Sequence, residues 1–240
     1  MHAPSFRPRL DTRVLRAAGL GLLLLVSGCD WRTPVALKDA PGVLDLTDFG
    51  ADLDGWRCSP ADQGRLPSLR LDSLSPDTML VIESRDGFPS RWRRKVRWDA
   101  ESHPVLTWAW SPGRTVDSTA FPRRRSPTAV MALDVTLASA FGFPKTVRYV
   151  WSARKDRGAT WVDRDNLHPK VVVLRDARDP SDSVLTERVD VWKDFERLWG
   201  FRPRHQALAL VVSAQDPASS ATLNARFGHV LAHPIPQETP

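Results

Sequence analysis

The chain has 240 residues, with 34 Lys+Arg against 28 Asp+Glu, ten Trp, one Tyr, 20 Pro and two Cys. That length suits one large domain or two small ones. A hydrophobic fraction of 42% with 26% charged residues excludes wholesale disorder, and two cysteines exclude both a disulfide framework and a four-thiolate zinc site. The net charge is +6, but Arg7, Arg9, Arg13 and Arg16 against Asp11 place three of those charges in the first 28 residues, which leaves +3 over the other 212.

Met1–Arg16 is basic, and Gly19–Val26 is a short apolar run containing Leu20, Leu22, Leu23, Leu24, Leu25 and Val26. A basic stretch followed by a brief apolar core reads as a secretory signal. A helix needs roughly 18 or more apolar residues to span a bilayer, so this run is too short for an ordinary anchor. The chain continues Val26-Ser27-Gly28-Cys29, which resembles the bacterial lipobox: an aliphatic residue, two small residues that let a peptidase approach the backbone, and a thiol that accepts diacylglycerol. The resemblance implies a signal peptide over residues 1–28 and lipidation, with palmitate-type chains, at Cys29. Two or more acyl chains give stable anchoring where one does not. Asp30 resembles the inner-membrane retention signal of enterobacterial lipoproteins. The expected address is the bacterial cell envelope, facing the periplasm, with the bilayer as a partner through Cys29. Cys58 then has no intramolecular thiol to pair with and reads as a small buried hydrophobe.

Residues 29–42 read as a polar, Pro-containing tether, 43–234 as a single domain and 235–240 as a tail. Strand signals run through the domain: Thr78–Ser84, Val105–Trp110, Ala129–Leu137, the Val147/Tyr149/Trp151 alternation, Lys170–Leu174, Val184–Val189, Ala207–Val212 and Phe227–Ala232. Period-2 runs separated by Pro, Gly, Asp and Ser clusters predict an antiparallel sandwich or barrel. One helix is predicted over Val191–Trp199, with Val191, Phe195, Leu198 and Trp199 as its apolar stripe, Asp190 as cap and Gly200 as stop. Helices do not alternate with strands, which counts against a parallel α/β sheet.

Ser90–Asp99 reads SRWRRKVRWD. As a strand it puts Arg91, Arg93, Lys95 and Arg97 on one face and Trp92, Arg94, Val96 and Trp98 on the other. The basic stripe could meet an anionic surface, an acidic protein or a charged glycan; it is also what a solvated outer face looks like. Arg123-Arg124-Arg125 adds basic charge in a loop. Trp108 and Trp110 share a face of Leu106–Trp110, as a sugar-stacking platform if exposed and as core if buried. Asp134 is the one acid inside a strongly apolar strand, on the face opposite Met131, Leu133, Val135 and Leu137. His229 and His233, four residues apart on a strand, would hold their Cα atoms roughly 13 Å apart, too far for one ion. No nucleophile elbow, P-loop or dinucleotide-binding glycine pattern is present, and the carboxylates are too scattered to argue a glycosidase pair. No catalytic residue, metal or cofactor is expected, and the reading leans against an enzyme.

Four features in order resemble an uncharacterised bacterial family, domain of unknown function 3047, over about Leu46–Ala232. They are Leu106-Thr107-Trp108-Ala109-Trp110; Arg148-Tyr149-Val150-Trp151-Ser152; Glu187-Arg188-Val189-Asp190-Val191 leading to Asp194-Phe195, Leu198 and Gly200; and the apolar strand Ala207–Val212 followed by a polar turn at Asp216. The chain departs from the family pattern at Val189-Asp190, at Ala214-Gln215-Asp216-Pro217 and at the Arg123–Arg125 run. The resemblance implies an envelope β-sandwich, jelly-roll-like, in the outline of carbohydrate-binding modules, and brings no activity. The leading expectation is a membrane-anchored, non-catalytic binding module for an envelope ligand such as a glycan, using Trp108, Trp110, Arg148 and Asp134. The alternatives are a scaffold protein docking an acidic partner on Arg91, Arg93, Lys95 and Arg97, and, last, a cell-wall hydrolase. Nucleic acid is not an expected partner.

Overall fold

The computed structural model describes residues 42–49, 53–58, 68–74, 77–84, 89–113, 129–139, 142–164, 168–215 and 222–235, all within one compact unit, Pro34–Pro240. The signal peptide, Cys29, Asp30, Arg123–Arg125 and Asp216 lie outside the described residues.

Among the described residues, fourteen strands and one helix follow in chain order: β1 (Leu44–Asp45), β2 (Trp56–Cys58), β3 (Leu69–Leu74), β4 (Asp77–Ser84), β5 (Ser90–Lys95), β6 (Val105–Ser111), β7 (Ala129–Ser139), β8 (Lys145–Ser152), β9 (Thr160–Val162), β10 (Lys170–Arg175), β11 (Leu185–Asp190), α1 (Val191–Trp199), β12 (Pro203–Ala214), β13 (Leu223–Phe227) and β14 (Leu231–His233). They form two seven-stranded sheets. In the first sheet β6 is central: β11 lies along one flank, while β14 and β13 share the other, pairing with its first and second halves. β1 continues outward from β14, and β4 and β3 from β13. The second sheet runs β2-β5-β12-β7-β8-β10-β9.

The fold is therefore an all-β sandwich with one short helix. Pairing is antiparallel except between β8 and β10, which run parallel because β10 lies between β8 and its own hairpin partner β9. The expected strand Phe227–Ala232 is split. At Gly228 the backbone N–H turns to the carbonyl of Ala109 (2.7 Å), and Val230 exchanges bonds with Thr47 Oγ1 and the Leu46 N–H instead of continuing the β13 ladder.

The core sits between the sheets. Trp108 and Trp110 of β6 meet Tyr149 and Trp151 of β8, with ring centroids 5.7 and 5.9 Å apart. Trp108 and Trp110 themselves stand edge-on at 5.5 Å. Such pairs contribute about 0.5–1.5 kcal/mol each beyond the area they bury. Around them pack Leu80, Ile82, Leu133, Val135, Leu210, Val212 and Phe227, all essentially buried. The helix closes one end, and its limits follow its caps. The Asp190 side chain accepts from the Lys193 N–H at 2.9 Å; Gly200 adopts the left-handed conformation (φ 76°) and returns its N–H to Glu196 O. Phe195 is buried and stacks on Trp199 at 4.6 Å. Gly113 is also required: at φ 76° a Cβ there would sit 2.4 Å from the Asn224 carbonyl oxygen.

The first described residues are held by histidines. His103 Nε2 lies 3.0 Å from Gly42 O, and His229 Nδ1 lies 2.6 Å from Asp45 Oδ2. His233 Nε2 meets Thr107 Oγ1 at 2.7 Å. Burial, then the charge of Arg188 and the neighbouring His103, holds the His233 pKa below its ordinary value. A lowered folded pKa means the unfolded chain takes up the proton first. The stability gained is present above the unfolded value, about 6.5, and is lost as pH falls through the folded value. The midpoint of thermal unfolding is expected to decline between about pH 7 and pH 5, and His233→Gln to flatten that slope. An identical slope in the variant would remove His233 as its source.

Candidate functional site

The outer face of the second sheet is built by strand register. Directly opposed residues share a face, so one row crosses the sheet: Arg57 on β2, Arg93 on β5, Val211 on β12, Asp134 on β7 and Arg148 on β8. Beside it run Lys95, Ala209, Thr136 and Thr146 on one side, and Arg91, Ser213, Ala132 and Val150 on the other. The opposite faces of these strands carry Leu133, Val135, Leu210, Val212, Val147 and Tyr149 into the core.

At one end of this face the cations gather. Arg57, Arg93 and Lys95 are exposed and Arg91 is half-buried. Trp92 and Arg94 point to the core side, where Trp92 packs against the core and Arg94 reaches the carbonyls of Asp48 and Asp54. The expected stripe is thus present for Arg91, Arg93 and Lys95. Arg97 is exposed but lies beyond β5: after Lys95 the chain leaves the regular ladder, keeping a Val96 N–H bond to Leu208 O and an isolated bridge between Asp99 and Gln206. Trp98 is buried and donates its indole N–H to His103 O at 3.2 Å.

In the middle, Arg148 and Asp134 are locked together. Arg148 Nε and Nη2 donate to the two Asp134 carboxylate oxygens at 2.7 and 2.8 Å, and Nη1 donates to Asp163. Both side chains of the Arg148–Asp134 pair are about nine-tenths buried, at 10% and 11% exposure. Burial alone would lower the Arg148 pKa, but the two carboxylates outweigh it and hold it above its ordinary value. A bidentate pair in this setting is a fixed dipolar block. Asp134 lies on the face opposite Met131, Leu133, Val135 and Leu137, where it is buried against Arg148. Asp163 follows a three-residue strand, too short to show a period. Beyond Arg148, Val171 of β10 and the half-buried Trp161 of β9 continue the face, with Ala132, Val150, Val173 and Ala159 as a small apolar cluster.

Trp108 and Trp110 do not join this face, which corrects their expected role as ligand contacts. They are 2% and 0% exposed, because β6 is the central strand of the other sheet and its Leu106/Trp108/Trp110 face is turned inward. Trp110 instead donates its N–H to Glu187 Oε1 at 3.0 Å, and Arg175 binds the same carboxylate. Tyr149 likewise donates to Asp194 Oδ2 at 2.9 Å; burial, then the Asp194 charge, pushes the phenol well above its ordinary pKa. Glu187 and Asp194 are internal props for the aromatic core. Among the described residues no group of three or more His, Cys, Asp or Glu side chains is placed to hold a metal ion, and no helix is long and apolar enough to cross a membrane.

The fold and the outer face define an all-β sandwich with a polar, cation-edged sheet surface. No family model matches the chain, and no curated protein matches it. Among solved structures it is similar to the family 11 carbohydrate-binding module from Clostridium thermocellum in complex with a β-1,3-1,4-mixed-linked tetrasaccharide, at 11% identity over 82% of this chain and 98% of that one, TM-score 0.39. It is also similar to the xyloglucanase domain of NopAA, a type three effector from Sinorhizobium fredii, in complex with cellobiose, at 10% identity over 82% of this chain and 99% of that one, TM-score 0.42.

Proposed function

We propose that the protein is a lipid-anchored, non-catalytic binding module of the bacterial cell envelope, facing the periplasm, with a glycan held on the outer face of the second sheet. In this reading residues 1–28 direct export, Cys29 carries the acyl chains, Asp30 retains the protein at the inner membrane, and the chain is a member of the domain of unknown function 3047 family. The observation that supports the binding face is its pre-organised polar centre. Asp134 and Arg148 are locked side by side, next to the hydroxyls of Thr136 and Thr146, 2.9 Å apart, and to Ser213 one row over. Fixed hydrogen-bonding groups on a rigid sheet are what a hydroxyl-rich ligand needs, because little ordering remains to be done on binding.

The test is a glycan array that includes peptidoglycan fragments, probed with the full chain in detergent micelles. Binding is expected, with Thr136→Val/Ser213→Ala weakening it by about tenfold. No binding above a heat-denatured control overturns the reading. The exposure of Arg93, Lys95 and Arg97 supports a second reading, a scaffold that docks an acidic envelope protein. That association would weaken markedly between low and high ionic strength.

A further inference from the structure

The basic edge and the hydroxyl-bearing centre belong to one continuous surface, and this narrows the ligand. Arg57 and Arg93 are directly opposed on adjacent antiparallel strands, where like charges repel. Arg91 and Lys95 flank Arg93 two residues away on the same strand face. Strands are about 4.8 Å apart and i,i+2 side chains about 6.8 Å apart, so four cations share one small area of sheet. Arg57, Arg91 and Arg93 make no ion pair among the described residues. Arg57 donates one Nη1 hydrogen to its neighbour, the Trp56 carbonyl, at 2.9 Å, leaving the rest of its fork unspent. Arg57, Arg91 and Arg93 thus form a repulsive cluster that an anion would relieve.

Next to the cluster β12 brings Ala209, Val211 and Ser213 to this face, and β7 brings Ala132, Asp134 and Thr136. Ala209 and Ala132 are buried, while Ser213, Thr136 and Thr146 are half-buried. The Thr136–Thr146 hydroxyl pair and the Arg148–Asp134 block lie across β12 from the cations. A chain molecule that carries both hydroxyls and negative charges matches both groups.

Building on the glycan reading above, we propose that the ligand is an anionic polysaccharide, carboxylate- or phosphate-bearing, lying across this face. Its acidic groups sit on Arg57, Arg91 and Arg93, and its hydroxyls on Ser213, Thr136 and Thr146. The basic stripe and the polar centre act as one site rather than two.

The experiment measures affinity of the full chain in detergent micelles for polygalacturonate, dextran, oligothymidylate and glycerophosphoglycerol, the water-soluble headgroup of an anionic lipid, at matched ionic strength. Polygalacturonate is expected to bind at least about tenfold more tightly than each of the others. Arg57→Ser/Arg93→Ser should weaken it by about tenfold or more while the thermal midpoint holds or rises, since like-charge repulsion is removed. Ser213→Ala/Thr136→Val should weaken polygalacturonate and leave headgroup and oligothymidylate binding unchanged. The headgroup or oligothymidylate binding as tightly as polygalacturonate, or an arginine double variant that binds normally, overturns the proposal. Dextran or neutral peptidoglycan fragments binding as tightly as polygalacturonate overturns the anionic assignment and leaves the glycan reading standing; failure of every glycan overturns both.

Discussion

Replacing Arg148 with Met is expected to lower the free energy of unfolding by about 3–5 kcal/mol, read from denaturant titration of the Trp fluorescence. The guanidinium is the shared partner of two carboxylates, Asp134 and Asp163, and Asp134 is 11% exposed. Taking the cation away leaves a nearly buried anion on β7 with no compensating charge. The intact pair itself is worth much less, because its formation already cost the desolvation of both ions. Asp134→Leu/Arg148→Met, which removes both charges and fills similar volume, should therefore recover most of the loss. If Arg148→Met costs under about 1 kcal/mol, water reaches the pair and the block is not rigid. The centre of the proposed binding face would then lose its pre-organisation.

Trp110→Ala is expected to cost about 3–5 kcal/mol, the usual range for removing a fully buried large aromatic. Two effects combine. The indole packs against Trp108, Trp151 and Phe227, and its N–H satisfies Glu187, which then relies on Arg175 alone. Trp110→Phe separates them: most of the packing survives and the hydrogen bond does not, so the loss should shrink to about 1–3 kcal/mol. Trp161→Ala, on the half-buried edge of the outer face, should disturb stability far less than Trp110→Ala. Equal effects from the two would contradict the assignment of Trp110 to the core.

The strands were legible wherever alternation ran for six residues or more, as in β7, where Met131, Leu133, Val135 and Leu137 all turned inward. The helix was legible from its two ends, Asp190 and Gly200, because caps are local chemistry. Alternation shows which residues share a face, but not which sheet the strand joins or which side is covered. That is why Trp108 and Trp110 could be read as a platform: only the position of β6 in the middle of a sheet, opposite β8, decides that they are core. Arg148 and Asp134 were each singled out, yet their pairing depends on the β7–β8 register, which spacing along the chain does not carry. The parallel β10 left a faint trace in Val171-Val172-Val173, a run apolar on both faces, but a strand buried on both sides has the same signature whatever its direction. Arg57 and Trp161 lie in three-residue strands and Asp163 just after one, where no period exists to read.

The pairing of β1 with β14 has a consequence for covalent topology. Leu44 lies opposite Ala232 and Asp45 opposite Leu231, so the first and last described strands are neighbours in one seam. Chain entering and chain leaving emerge side by side from the first sheet, whereas the cation-edged face belongs to the second. A unit of this shape can be spliced into a surface loop of another protein, or joined head to tail with its own copy, without pulling its ends apart.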